Sequence, residues 1–257
     1  VVGSLAHVLP RGKALLYRMF KRRERSVVPW DARHIRFKAL LDNPGLVDAP
    51  EIDPHDDIAL LQYTGGTTGT PKGAVLTHAN LVANAQQVDA IDPEPDAEDR
   101  ILGALPMFHV FANTCVLNRT VLRGGEMVLL PKFELKTALK TIGRRRITAL
   151  PGVPTMYRAL LDSPDLEKHD LTSLRVCISG GAPMPVELKQ RFEAKSGAVL
   201  VEGYGLTESS GVVSVNPYRG GAKDGSIGQP LPGTDIVLVD KDDPTKLAAP
   251  GEPGEIT

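Results

Sequence analysis

The regular alternation of short apolar runs with amphipathic ones between residues 101 and 201 constrains the fold more than any other feature. Strands are expected at 101–105, 127–130, 147–150, 175–178 and 199–201, with helices over 111–122, 135–145, 155–161 and 186–196 between them. Successive strands separated by a helix join one sheet as parallel neighbours, with the helices laid over its faces. The expected class is therefore α/β with a largely parallel sheet. Ligands on such sheets bind where strands end in loops.

Three of those loops carry suggestive chemistry. Pro106-Met-Phe-His109 follows the run at 101–105. Ser179-Gly-Gly-Ala-Pro183 follows 175–178, and glycines at a strand end permit close, flat contact with a planar ligand. Gly203-Tyr-Gly-Leu-Thr-Glu208 follows 199–201. There Tyr204 offers a ring to stack on a purine, Thr207 a hydroxyl donor, and Glu208 an oxygen ligand for a hard cation. Each residue alone has a plainer meaning: a structural histidine, a tight turn with helix entry at Pro185, a solvated glutamate.

Upstream, Tyr63-Thr-Gly-Gly-Thr-Thr-Gly-Thr-Pro-Lys-Gly73 concentrates four glycines, four threonines and one lysine in eleven residues. Glycines bring backbone N–H groups close to an anion, threonine hydroxyls donate to phosphate oxygens, and Lys72 adds a point charge. The spacing is not that of a Walker A loop, which needs Gly-Lys-Ser/Thr after four intervening residues. The flanks at 57–63 and 74–76 read as strands, so the loop is expected at the tip of a hairpin. Thr77-His-Ala-Asn80 offers helix caps before a helix over 81–90.

In this order the segments resemble the adenylate-forming enzymes: acyl-CoA synthetases, luciferases and the adenylation domains of peptide synthetases. All eleven positions of 63–73 fit that family's phosphate loop. Within it, Leu60-Leu-Gln-Tyr-Thr-Gly-Gly-Thr-Thr-Gly69, Leu129-Leu-Pro-Lys-Phe133 and Leu200-Val-Glu-Gly-Tyr-Gly-Leu-Thr-Glu-Ser-Ser210 look like the long-chain fatty acid–CoA ligases. The resemblance implies the large N-terminal domain of that fold, with layered α/β sheets and the start of a small β-barrel subdomain. It implies ATP and Mg²⁺ as cofactors, coenzyme A as co-substrate and a fatty acid as substrate. Residues Thr64, Gly65, Gly66, Thr67, Thr68, Gly69, Thr70 and Lys72 would hold the phosphates. Gly180, Gly181, Ala182 and Pro183 would line the adenine pocket, with Gly203, Tyr204, Gly205 and Thr207 completing the nucleotide site. Thr64 and Glu208 would ligate the metal. Lys72, Thr207, Glu208 and His109 would carry the chemistry, His109 by orienting the acid. Other acids remain open, aryl or amino acids among them, as do a carrier protein as acyl acceptor and a non-catalytic nucleotide-binding role.

The chain is organised by expectation into an N-terminal segment and linker at 1–56, an AMP-binding core at 57–222 and the start of the β-barrel subdomain at 223–257, with a strand at 235–240. The family's ribose-gripping aspartate and lysine-bearing C-terminal domain lie outside these residues. By itself the chain is expected to hold most phosphate and adenine contacts but to be weak or inactive as a ligase.

Composition narrows the alternatives. At 257 residues, 42% hydrophobic and 24% charged, the chain can bury a sizeable core. A net charge of −1 gives no general case for nucleic-acid binding. Cys115 and Cys177 stand singly in apolar surroundings and read as reduced core residues, which favours a cytoplasmic setting. Arg11 to Arg25 mixes basic and apolar residues, so a short helix there is a candidate for contact with an anionic membrane, against a solvated helix packed on its own protein. A homodimer is among the assemblies considered.

Overall fold

The computed structural model describes residues 3–24, 28–29, 31–45, 48–65 and 71–257. The chain divides into two compact units, residues 1–51 and 52–257.

The first unit holds the short helices α1 (Leu5–Val8), α2 (Arg11–Phe20) and α3 (Phe37–Leu40). The basic stretch does form a helix, over its first ten residues. Ala6 and Ala14 are buried, whereas Leu15, Leu16, Met19 and Phe20 are exposed beside the basic side chains. Residues 25–27 lie outside the described part.

The second unit begins with the expected hairpin. Strand β1 (Ile58–Thr64) pairs antiparallel with β2 (Lys72–Thr77), bringing Thr64 opposite Lys72. Helix α4 (His78–Ala90) starts at once. Its capping box is complete: the Asn80 N–H donates to Thr77 Oγ1 at 3.3 Å and the Thr77 N–H to Asn80 Oδ1 at 2.9 Å.

A seven-stranded sheet follows, with β3 (Arg100–Gly103), β4 (Glu126–Leu129), β5 (Ala149–Gly152), β6 (Val176–Ser179), β7 (Val199–Leu206), β8 (Gly211–Val215) and β9 (Gln229–Pro230). Its spatial order is β4-β3-β5-β6-β7-β8-β9. The first five strands in that order are parallel, as expected, and β8 and β9 add antiparallel neighbours beyond β7. The connecting helices are α5 (Val110–Ala112) and α6 (Arg119–Arg123), α7 (Leu135–Arg145), α8 (Pro154–Leu161) and α9 (Val186–Ser196). A π-helical stretch, Asn113–Asn118, joins α5 to α6. Strands β10 (Leu238–Val239) and β11 (Glu255–Ile256) form a separate antiparallel pair, shorter than the expected run at 235–240.

Alternation along the central strands divides the core. Leu102, Leu150, Cys177 and Leu200 point into one cluster with Leu139, Ile142, Tyr157, Leu160, Leu188 and Phe192 from α7, α8 and α9. Ile101, Ala149, Ile178 and Val201 face the other side, packed with Val88 of α4 and with Ala112, Cys115 and Val116. Both faces are covered, which is why these strands read as continuous apolar runs. Tyr157 is fully buried; its hydroxyl lies 2.6 Å from Leu150 O and 3.1 Å from Ile178 O, and its ring meets Phe192 edge-on with centroids 4.9 Å apart.

Near the starts of β3 and β6 sits a buried ion network. The Asp92 and Asp99 side chains are 1% and 0% exposed. Arg175 reaches both at 2.8 Å, Arg123 reaches Asp92 at 2.7 Å and Arg119 reaches Asp99 at 3.0 Å. Burial pushes the Asp92 carboxyl up, but its bonds to Arg175 and to the Glu94 N–H, with the charge of Arg119, outweigh this and hold it below the usual carboxylate range. Among the described residues no helix is long and apolar enough to cross a membrane.

Candidate functional site

A cleft of about 440 Å³ opens at the C-terminal end of β6, bounded by β7 and its turn, the hairpin and the start of α5. That is the end of a parallel sheet where ligands are expected. Thr64, Gly65 and Lys72 line it from the hairpin. His109, Val110 and Phe111 come from the α5 entry, Gly180 and Gly181 from the loop after β6, and Gly203 through Glu208 from β7 and its turn. Four segments far apart in sequence are thus brought to one place. Ala182 and Pro183 follow Gly181 on the same loop, exposed and outside the lining. Gly66, Thr67, Thr68, Gly69 and Thr70 lie outside the described residues.

The hairpin presents its polar groups to the opening. Thr64 Oγ1 lies 3.5 Å from Lys72 O across the strand pair. The Lys72 side chain is exposed, and among the described residues no ion pair involves it. An ammonium so placed suits an incoming anion.

The β7 segment differs from its expected form. Strand β7 does not stop at Val201 but runs to Leu206 and turns directly into β8. Gly203, Tyr204 and Gly205 therefore belong to a strand, and only Thr207 and Glu208 sit on the turn. The pairing shifts register between Tyr204 and Gly205. There the two backbones approach so closely that a Cβ built on Gly205 would lie 1.7 Å from Gly211 O. The turn is closed by Ser209 Oγ, which accepts from the Leu206 N–H at 3.1 Å. Ser210 adopts φ +69°, the left-handed region that costs a non-glycine residue about 1 kcal/mol or more.

His109 caps α5: its Nδ1 accepts the Phe111 N–H at 3.2 Å. In the neutral ring this leaves the proton on Nε2, a donor. Phe111 packs against the glycine loop, where a Cβ on Gly180 would meet its ring at 3.2 Å.

The donor set suits a small hard cation held jointly with phosphate. Thr64 and Glu208 both line the cleft, one hydroxyl and one carboxylate. Mg²⁺ is ordinarily held through one or two carboxylates with substrate phosphates and water completing the shell. Among the described residues no group of three or more His, Cys, Asp or Glu could enclose a metal without such a ligand.

Phe111, Ile178, Gly211 and Val212 also line the cleft. None was expected from sequence. Ile178 reads as core and Phe111 as one apolar residue in a helix, and only the fold shows that both border an opening.

The fold is that of an α/β protein with a mostly parallel sheet, and its glycine-rich strand ends line one cleft with the lysine-bearing hairpin. The chain belongs to the family of AMP-binding enzymes, whose sequence model matches residues 5–257. It is 49% identical over 213 residues to a long-chain-fatty-acid–CoA ligase of Bacillus subtilis (strain 168), covering 82% of this chain and 38% of that protein. An anthranilate CoA ligase, AuaEII, in complex with anthranoyl-AMP superposes with a TM-score of 0.78 at 29% identity, covering 85% of this chain and 42% of that one. ATP-bound MatB from Rhodopseudomonas palustris superposes with a TM-score of 0.73 at 33% identity, with the same two coverages of 85% and 42%. The chain thus spans less than half the length of each.

Proposed function

We propose that the protein to which these residues belong activates a long-chain fatty acid with ATP and passes the acyl group to coenzyme A. The supporting observation is the convergence of Thr64, Lys72, His109, Gly180, Tyr204, Thr207 and Glu208 on one cleft. The similarity to a long-chain-fatty-acid–CoA ligase favours this acid.

In the first step a carboxylate oxygen attacks the α-phosphorus of ATP. A carboxylate–phosphorus bond forms, the bond to the bridging oxygen breaks, and pyrophosphate leaves with the electron pair. A carboxylic acid is already ionised at neutral pH, so no general base is required. Lys72 meets the charge that grows on the departing pyrophosphate, and Thr207 donates to the α-phosphate. Thr64 and Glu208 would hold Mg²⁺, which would supply positive charge to neutralise the phosphates. Tyr204 and the Gly180–Gly181 backbone flank the adenine, and His109 orients the acid through Nε2. In the second step the coenzyme A thiol gives up its proton to solvent and its sulfur attacks the acyl carbon; the C–S bond of the thioester forms, the acyl C–O bond breaks, and AMP leaves with the electron pair. Residues 57–222 would form the AMP-binding core and 223–257 the start of a further subdomain. Helix α2, with Leu15, Leu16, Met19 and Phe20 exposed beside its basic residues, would be the segment that touches a membrane surface.

The similarity to an anthranilate CoA ligase favours a second reading, activation of an aryl acid. Two stable acyl-adenylate mimics distinguish them, one with a long alkyl chain and one with a benzoyl group. A ligand at 100 times its dissociation constant adds about 2.7 kcal/mol to stability. The fatty-acid reading predicts a raised thermal midpoint with the alkyl mimic and a smaller rise with the benzoyl one. A larger rise with benzoyl would transfer the proposal to an aryl acid, and no rise with either would overturn both.

A further inference from the structure

The turn bearing Thr207 and Glu208 is held from outside by two buried side chains that line no part of the cleft. Asn84 of α4 is buried, and its amide pairs with both backbone groups of Val212: Nδ2 donates to Val212 O at 2.6 Å and Oδ1 accepts the Val212 N–H at 2.9 Å. Nδ2 also lies 3.1 Å from Gln87 Oε1, and Gln87 Nε2 in turn donates to Pro232 O at 2.9 Å. Thr114 is fully buried in the π-helical stretch, and its Oγ1 donates to Ser210 O at 3.1 Å. These are the two residues on either side of Gly211.

Gly211 itself shows how tight the clamp is. It adopts φ +137°, and a Cβ there would lie 2.7 Å from Thr114 Oγ1 and 2.8 Å from Asn84 Oδ1. A left-handed Ser210 beside it is a conformation that persists only when surroundings enforce it. π-helical bulges are themselves frequent at functional sites. The same helix supplies His109 and Phe111 to the cleft at its start, one turn before Thr114.

We infer that Asn84 and Thr114 are positioning residues: they fasten the strained return of β7 into β8 and so fix where Thr207 and Glu208 stand relative to Thr64 and Lys72. The functional half of this inference rests on the nucleotide-binding role proposed above; the fastening itself does not. An amide at position 84 is needed because the Val212 peptide requires one donor and one acceptor at once, which a carboxylate cannot supply. At 114 a hydroxyl is needed and a methyl is not, so serine should serve and valine should fail.

The test compares Asn84→Ala, Thr114→Val and Thr114→Ser with the parent chain. Hydrogen exchange at the amides of residues 206–212 reads the fastening without any ligand. The expected result is exchange faster by about tenfold or more in Asn84→Ala and Thr114→Val, with Thr114→Ser close to the parent. Equal protection in parent and Thr114→Val, or equal loss in Thr114→Val and Thr114→Ser, would overturn the inference, and Thr114 decides it even if Asn84→Ala fails to fold. The functional half is read by the Mg²⁺ concentration needed for half-maximal thermal stabilisation by ATP. That concentration should rise about tenfold in Thr114→Val and stay near the parent value in Thr114→Ser. Unchanged Mg²⁺ dependence alongside faster exchange would sink the positioning role alone. A parent chain that shows no response to Mg–ATP would refute the nucleotide role, and with it the functional half, while exchange still decides the fastening.

Discussion

At the scale of single residues, the site depends on backbones that lie closer together than side chains allow. Gly205 is the sharpest case: the 1.7 Å approach of Gly211 O leaves no room for a methyl group. Gly205→Ala should therefore force β7 and β8 apart and cost about 1–3 kcal/mol, as overpacking generally does. In a chain of this length that is a thermal midpoint lower by roughly 2–4 °C for each kcal/mol. ATP-dependent stabilisation should be lost as well, because the turn bearing Thr207 and Glu208 starts two residues later. A variant with the parent midpoint would show that the strands separate freely and that the close approach is incidental.

At the scale of elements, local signals proved legible and distant ones did not. The start of α4 is a local matter: Thr77 and Asn80 are three residues apart, and their reciprocal bonds follow from spacing alone. Thr77→Ala should cost about 1 kcal/mol, measurable as a shifted denaturant midpoint with an unchanged slope. An unchanged midpoint would mean that tertiary contacts, not the cap, fix this end. The parallel strands were legible for a similar reason, since burial on both faces leaves uninterrupted apolar runs. By contrast β8 is a short Gly-Val-Val-Ser-Val run that follows β7 after a tight turn, and nothing local marks it as paired. The π-helical stretch at Asn113–Asn118 has no spacing signature, so 111–122 reads as an ordinary helix. Asn84 meets Val212 across 128 residues, a partnership that only the folded chain discloses. Of the cleft, the polar and glycine positions were visible as motifs, and the apolar walls were not.

At the scale of the whole molecule, the two ends of the sheet do different work. The cleft occupies the C-terminal end, while the buried Asp92–Asp99–Arg119–Arg123–Arg175 network ties helices to the sheet near the starts of β3 and β6. Such a network makes stability pH-dependent in a defined direction. The folded-state pKa of Asp92 lies below its ordinary value of 3.8. Its contribution is therefore complete above about pH 4, the unfolded pKa, and is lost as pH falls through the lower folded value. Asp92→Asn should destabilise the chain at pH 7 by about 3–5 kcal/mol, since it strips a buried partner from three arginines. The difference between parent and variant should narrow as pH falls below 4. A difference that stays constant from pH 7 to pH 3 would mean that Asp92 titrates alike in the folded and unfolded states and that the network does not hold its carboxyl low. The two cysteines play no part in this: both are buried and free, and burial, only partly offset by Arg119, pushes the Cys115 thiol up to about 12.

The most direct test of the cleft as a nucleotide site is the dissociation constant of Mg–ATP, measured by calorimetry on this chain and on Lys72→Ala. The fold places Lys72 at the mouth of the cleft, opposite Thr64 and with no ion pair among the described residues. Loss of a charge-assisted contact worth about 1.5–3 kcal/mol should weaken binding by roughly ten- to a hundredfold. Binding by the parent chain with that loss in Lys72→Ala is the predicted result. Equal affinity in the two proteins, or no binding by the parent, would contradict the assignment of this cleft to ATP.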